Sequence, residues 1–220
     1  MSQEVLIPKM KRLNKESRKI KIPFFNILII VFSILLIIGA TFLGFDLKHF
    51  IIPKGLFSGN LVRDDFIYSF YVIPQIPVLM LVCSSLGKRL SAIAVLGYLI
   101  LGFIGVPIFA LGGGLSYFTE YGCGYLLAYV PAVVVAGSFL NRKYSFLNMA
   151  LAALCGVLII HCFGILYMLL LALLKHEGSV FISGWVGAQS GMKIVYDIIF
   201  SFVFILIGKY INSLIRFLQD

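Results

Sequence analysis

Of the 220 residues, 61% are hydrophobic and only 12% are charged, with a mean hydropathy of +1.05. A water-soluble domain carries roughly a quarter of its residues charged, so a water-facing surface cannot be built from this composition. The net charge of +9 does not signal nucleic acid: the basic residues sit beside long apolar runs and at the N-terminus, where anionic lipid and topology account for them, and no basic groove with interleaved aromatics occurs.

In chain order, residues 1–22 form a basic leader expected on the cytoplasmic side, residues 23–217 a six-helix membrane domain, and residues 218–220 a cytoplasmic tail. The first apolar run, Pro23 to Phe45, is long enough at 1.5 Å per residue to cross about 30 Å of hydrocarbon. The second, Phe66 to Leu86, contains Pro74 and Pro77, which predict a kinked or partly irregular helix. Leu90 to Ala110, Cys123 to Leu140, Phe146 to Leu174 and Ser190 to Ile215 complete six spans. The expected fold is all-α, integral to a cell membrane and multi-pass, with both termini cytoplasmic and long outer loops.

Positive charge sets that orientation. Thirteen of the eighteen basic residues fall on one side of a six-span arrangement: seven in the leader, with Lys88, Arg89, Arg142, Lys143, Lys209 and Arg216. The other side carries Lys48, Lys54, Arg63, Lys175 and Lys193 with most of the acids. Connections on the basic side are tight. Those on the opposite side are long, and three long loops on one face predict a site that opens outward.

One outer loop, GVPIFALGGGLSYFTEYGCGYLLAY from Gly105 to Tyr129, combines glycines with aromatics. Gly112, Gly113 and Gly114 allow unusual backbone conformations and close ligand approach. Phe109, Tyr117, Tyr121, Tyr125 and Tyr129 offer flat bodies, four of them with hydroxyl tips, and Glu120 is the loop's only charge. Such a set suits a small ring compound with a few hydrogen-bonding groups, while a single tyrosine can equally belong to an interfacial belt.

Lys193 lies at the start of the last span, where the helix N-terminus already carries partial positive charge. A bound carboxylate would satisfy both; an ion pair with Asp197 at i+4, or snorkelling to the interface, is the alternative. Asp197 is then either that partner or an acceptor for ligand N–H groups. His161, within the fifth span, reads first as an interhelical hydrogen-bonding residue. Ala40 and Gly44 form a small-xxx-small pair suited to close approach of a partner helix. The four cysteines make no CxxC pair and no cluster with histidine, so neither a metal site nor a disulfide framework is expected.

The string GKRLSAIAVLGYLILGFIGVPIFALGGG, followed by GYLLAY, resembles the BioY family of biotin-binding S components of energy-coupling-factor (ECF) transporters. The matching positions include Gly87, Tyr98, Gly102, Gly105, Pro107, Phe109, Ala110, Gly112, Gly113, Gly114, Gly124 and Tyr125. The resemblance implies a non-enzymatic, six-helix S component without a cofactor. It would bind biotin or a similar small carboxylate as cargo at the extracellular face, and associate with a transmembrane coupling subunit and two cytosolic ATPases. Lys193 matches a lysine of the family's last span, and Ser190 stands where the family has an aspartate one turn earlier. No GxxxxGK[ST] phosphate loop occurs, consistent with ATP hydrolysis by partners. A different class, an intramembrane serine hydrolase built from Ser116 and His161, would require their side chains within about 3 Å of each other.

Overall fold

The structure, a computed structural model, describes residues 24–53, 62–141 and 145–219. The leader, Lys54, Arg142 and Lys143 lie outside the described residues. The chain is mostly helical, with five segments long and apolar enough to cross a membrane: Phe24–Phe42, Gln75–Phe103, Cys123–Leu140, Phe146–Leu174 and Ser179–Ile215. Helix is the natural outcome for such runs, because in hydrocarbon every backbone N–H and C=O must be satisfied within the segment.

Helix α1 (Phe24–Phe42) leads into strand β1 (Phe45–Phe50), and β2 (Ile67–Val72) returns antiparallel to it, with Phe45 opposite Val72 and Phe50 opposite Ile67. The all-α expectation is corrected here. What reads as the front of a second apolar span is a strand of aromatic and β-branched residues. It buries Val72 and docks the hairpin on the final helix through His49 and Phe70, whose rings lie 5.8 and 5.1 Å from Tyr196.

Helix α2 (Gln75–Phe103) is not straight. Pro74 ends the strand and Pro77 lies in the first helical turn, where its missing N–H has no intrahelical partner to lose, so neither proline kinks the helix. The break is at Gly87, with φ +74° and ψ 174°, a backbone state that a side chain would strain. The chain reverses there. Gln75 Nε2 donates to Tyr98 Oη at 2.8 Å, whereas 23 residues of continuous helix would separate them by roughly 35 Å.

A short 3-10 turn (Leu115–Thr119) precedes α3 (Cys123–Leu127) and α4 (Tyr129–Leu140), which together occupy the expected fourth span. Helix α5 (Phe146–Leu174) begins at Ser145, whose hydroxyl caps the Asn148 N–H at 3.2 Å. Helix α6 (Ser179–Ser190) stands where a long loop is expected, and α7 (Lys193–Gln219) follows after two residues, so Ser190 ends one helix and Lys193 begins the next.

Helix α2 packs on α7, α4 and α1, and α5 on α4, α3 and α7. Lys88 Nζ donates to Ser138 Oγ at 3.0 Å and Asn212 Nδ2 to the Ser85 carbonyl at 2.6 Å, so the Gly87 turn and the C-terminal parts of α4 and α7 meet at one end. The interior is closely packed. Val133, Val157, Ile160 and Ile205 are fully buried, and Met80 fills the space beside Gly156 and Ala136. Ala40 is buried in this core, whereas Gly44 is exposed, with the Tyr71 hydroxyl end of the ring close against it.

Candidate functional site

At the end of the bundle opposite the Gly87 turn lies a cavity of about 330 Å³. Its wall is assembled from Ile73, Gln75 and Ile76 at the β2–α2 junction, Ala110 and Leu111, Tyr117 and Glu120 to Gly122 of the aromatic loop, and Tyr125, Leu126 and Tyr129 of α3 and α4. His161 of α5, Trp185 and Gln189 of α6, and Lys193 of α7 complete it. Six residues expected from sequence are therefore brought together: Tyr117, Glu120, Tyr121, Tyr125, Tyr129 and Lys193.

The remaining expected residues stand behind the wall. Phe109 is buried, packed edge-on against Tyr98 and Phe103 and tilted against Tyr117, so it props the wall without facing the cavity. Gly112 returns a backbone pair to Phe109, and Gly114, at φ +96°, turns the chain into the 3-10 segment carrying Tyr117. Gly113 fits tightly against the Val106 and Gly102 backbones. These glycines shape the loop and do not line the cavity.

Asp197, fully buried, does not line it either. Among the described residues its Oδ2 meets His161 Nε2 at 3.1 Å in a hydrogen bond, and it forms no salt bridge with Lys193. His161 Nδ1 lies 2.9 Å from Ser190 Oγ, which also bonds the Tyr125 hydroxyl. A polar chain thus runs from Tyr125 on the wall through Ser190 and His161 to Asp197. Gly164 lets α5 approach the Tyr125 ring closely enough to close that chain.

Serine, histidine and aspartate in line invite comparison with a hydrolase triad, but Ser190 is only 2% exposed and absent from the cavity wall, so a substrate carbonyl has no route to it. Ser116 is exposed in the 3-10 turn, and the serine that His161 bonds is Ser190. The Ser116–His161 dyad does not form.

A second polar group floors the cavity. Tyr129 Oη donates to Gln75 Oε1 at 2.8 Å, and Gln75 Nε2 donates to Thr41 Oγ1 and Tyr98 Oη, each at 2.8 Å. The aromatic loop is tied to the α5–α6 connection from above. Lys175 lies 4.4 Å over the Tyr121 ring and donates to the Thr119 carbonyl at 2.8 Å. Tyr121 Oη donates to Glu177 at 2.7 Å, and Tyr167 Oη to the Phe118 carbonyl at 2.7 Å. The Glu177 carboxylate accepting its proton pushes Tyr121 up to about 12, and burial pushes Tyr117 up to about 12, so both hydroxyls stay protonated at neutral pH.

Sequence reasoning missed Gln75, Trp185 and Gln189 on the wall. The chain's single tryptophan, in a segment with turn-like glycines, was the available signal for α6. Gln75 was marked only by being a lone amide between two prolines in an apolar run. Among the described residues no group of three or more histidine, cysteine or acidic side chains is placed to hold a metal ion.

The family described as the BioY family matches residues 14–217. A Lysinibacillus sphaericus protein named "Probable biotin transporter BioY" is 31% identical over 121 residues, covering 52% of this chain and 62% of the relative. The "Biotin transporter BioY" of Thermotoga maritima is 32% identical over 81 residues, covering 36% and 48%. The chain thus spans between about 40% and 62% of the length of the curated relatives it matches. The crystal structure of an S-component for biotin from an ECF-type ABC transporter superposes with a TM-score of 0.61 at 18% identity, covering 86% of this chain and 91% of that one, a likeness of fold.

Proposed function

The chain belongs to the BioY family, and on that premise we propose that it is the substrate-capture component of a vitamin importer, holding biotin in the outer cavity and delivering it inward. The observation that carries this reading is the cavity itself: about 330 Å³, a size for a small ligand, with aromatic walls, one cation and a hydrogen-bonding floor. Biotin matches those parts with an anionic carboxylate, a compact apolar ring pair and a cyclic urea. The carboxylate faces Lys193 and the α7 N-terminus, where cation and helix dipole act together. The rings lie among Tyr117, Tyr121, Tyr125 and Trp185.

The two halves of α2 count as separate crossings, so α1, α2 twice, α3–α4, α5 and α7 make six, with both ends in the cytoplasm. The Lys88–Arg89 turn lies at the end opposite the cavity, and basic residues favour the cytoplasmic side, so the cavity opens outward at the cell membrane. Biotin is cargo here, not cofactor, and the chain does no chemistry on it. An ECF-type coupling subunit and two cytosolic ATPases supply the energy.

Calorimetry on purified, folded protein tests the reading. One biotin per chain is expected, and no binding at micromolar biotin overturns it.

A further inference from the structure

We propose that the phenol oxygens of Tyr125 and Tyr129 form a pair of proton-locked acceptors that select a ligand presenting two N–H donors. The inference rests on the biotin-binding reading and names the part of the site that recognises the ring.

The argument is one of proton bookkeeping along two hydrogen-bond chains. A carboxylate only accepts, so the single N–H of a neutral His161 sits on Nε2, aimed at Asp197 at 3.1 Å. Nδ1 is then bare and takes the Ser190 hydroxyl proton at 2.9 Å. Ser190 has no second proton, so its oxygen accepts from Tyr125. A charged imidazole would reverse the chain, but the Asp197 carboxylate and the Lys193 ammonium, one turn apart on α7, already offset each other, and a further cation out of water is costly. Asp197 does not line the cavity: its Oδ2 is engaged by His161 and its Oδ1 is buried with no hydrogen-bond partner among the described residues, which leaves Glu120 of the aromatic loop as the carboxylate on the wall.

The other chain is oriented by Thr41. Its hydroxyl donates to the Ile37 carbonyl at 3.0 Å, so Gln75 must turn Nε2, not Oε1, toward it. The second Nε2 proton goes to Tyr98, and Oε1 takes the Tyr129 proton.

Tyr125 and Tyr129 are four residues apart on nearly continuous helical turns, since Ala128 N–H bonds Gly124 and Ala132 N–H bonds Ala128. They therefore lie on the same face, and both line the cavity. Each has committed its proton away from the cavity and retains lone pairs. A cyclic urea supplies two N–H groups to such a floor; a ring that exchanges one N–H for oxygen sets lone pair against lone pair.

The test compares biotin with its cyclic carbamate analogue, one ring N–H replaced by O, titrated into the purified full chain and its variants. In the parent chain the analogue should bind about ten- to hundredfold more weakly, the effect of losing one buried hydrogen bond and leaving its acceptor unpaired. In Tyr125→Phe/Tyr129→Phe the gap between the two ligands should close to within about threefold. Ser190→Ala keeps both phenols but frees the Tyr125 proton to turn toward the ligand, and should narrow the gap by at least about threefold. That variant decides the matter if the double variant binds neither ligand. Equal affinity for both ligands in the parent chain, or an undiminished gap in the variants that bind, overturns the inference while biotin capture stands. A parent chain that binds no biotin overturns both.

Discussion

Replacing Lys193 by methionine removes one charge from the cavity wall while keeping a flexible stem of similar length. Lys193 is half-buried at the first position of α7, where its ammonium and the unpaired N–H groups of the helix end reinforce each other. A charge-assisted hydrogen bond to a carboxylate is worth about 1.5–3 kcal/mol, and the Coulomb energy of a pair 4 Å apart near a protein surface is about 4 kcal/mol before desolvation is subtracted. Taking about 2–3 kcal/mol, Lys193→Met should weaken biotin roughly 30- to 150-fold. Biotin amide, neutral at the tail, provides the control. It should bind the parent chain with a comparable deficit and bind Lys193→Met about as well as biotin does. Calorimetry on detergent-solubilised protein measures all four combinations. A variant within about threefold of the parent for biotin, or equal losses for biotin and the amide, would refute the placement of the carboxylate at Lys193.

Trp185 is the chain's only tryptophan and lines the cavity, so biotin should shift its intrinsic fluorescence saturably, with a midpoint matching calorimetry; an unchanged spectrum at saturating biotin counts against placing the rings beside Trp185. Asp197→Leu leaves His161 with a buried, unanswered N–H and should lower stability by about 1–3 kcal/mol, whereas His161→Leu/Asp197→Leu should recover much of it. Thermal unfolding in detergent reads both, and strictly additive losses would show that the pair is not coupled. Gly87→Val should destabilise by about 1–3 kcal/mol, because φ +74° strains a β-branched residue, while Arg89→Ala two residues on, at an exposed site, should be near neutral. Glu177→Gln removes the carboxylate that holds the Tyr121 proton, so Tyr121 should titrate below about 12, followed by absorbance near 295 nm against Tyr121→Phe; an unmoved midpoint would show that the Glu177 contact does not hold that proton.

Hydropathy made the long helices legible because lipid imposes a length and forbids charge. Helix α5 runs from Phe146 to Leu174 as the apolar run does, and α3 with α4 fills Cys123 to Leu140. The same signal hid β2. Ile67–Val72 is apolar enough to merge with the following helix, and a strand buried on one side within a larger apolar run leaves no clean alternation to read. Helix α6 escaped because its glycines, Gly184 and Gly187, look like loop. At the site, residues that touch the cavity from the aromatic loop were visible as a cluster in sequence. Gln75, Trp185 and Gln189 were not, since only folding brings the β2–α2 junction and α6 beside Tyr125. The departure at Ser190 likewise became intelligible only once His161 was seen to bond it.

The tight layer beneath the polar floor makes the cavity a cul-de-sac. One turn below Tyr129 and His161, Val133 and Val157 are sealed, and Met80 plugs the space between α4 and α5. A guest in such a pocket departs by the doorway it entered, so the inward delivery proposed above requires the doorway itself to change sides. Two outer helices suit that manoeuvre. Neither α1 nor α5 carries an aspartate, glutamate, lysine or arginine along its length, and so neither would drag a charge through hydrocarbon as the bundle turned.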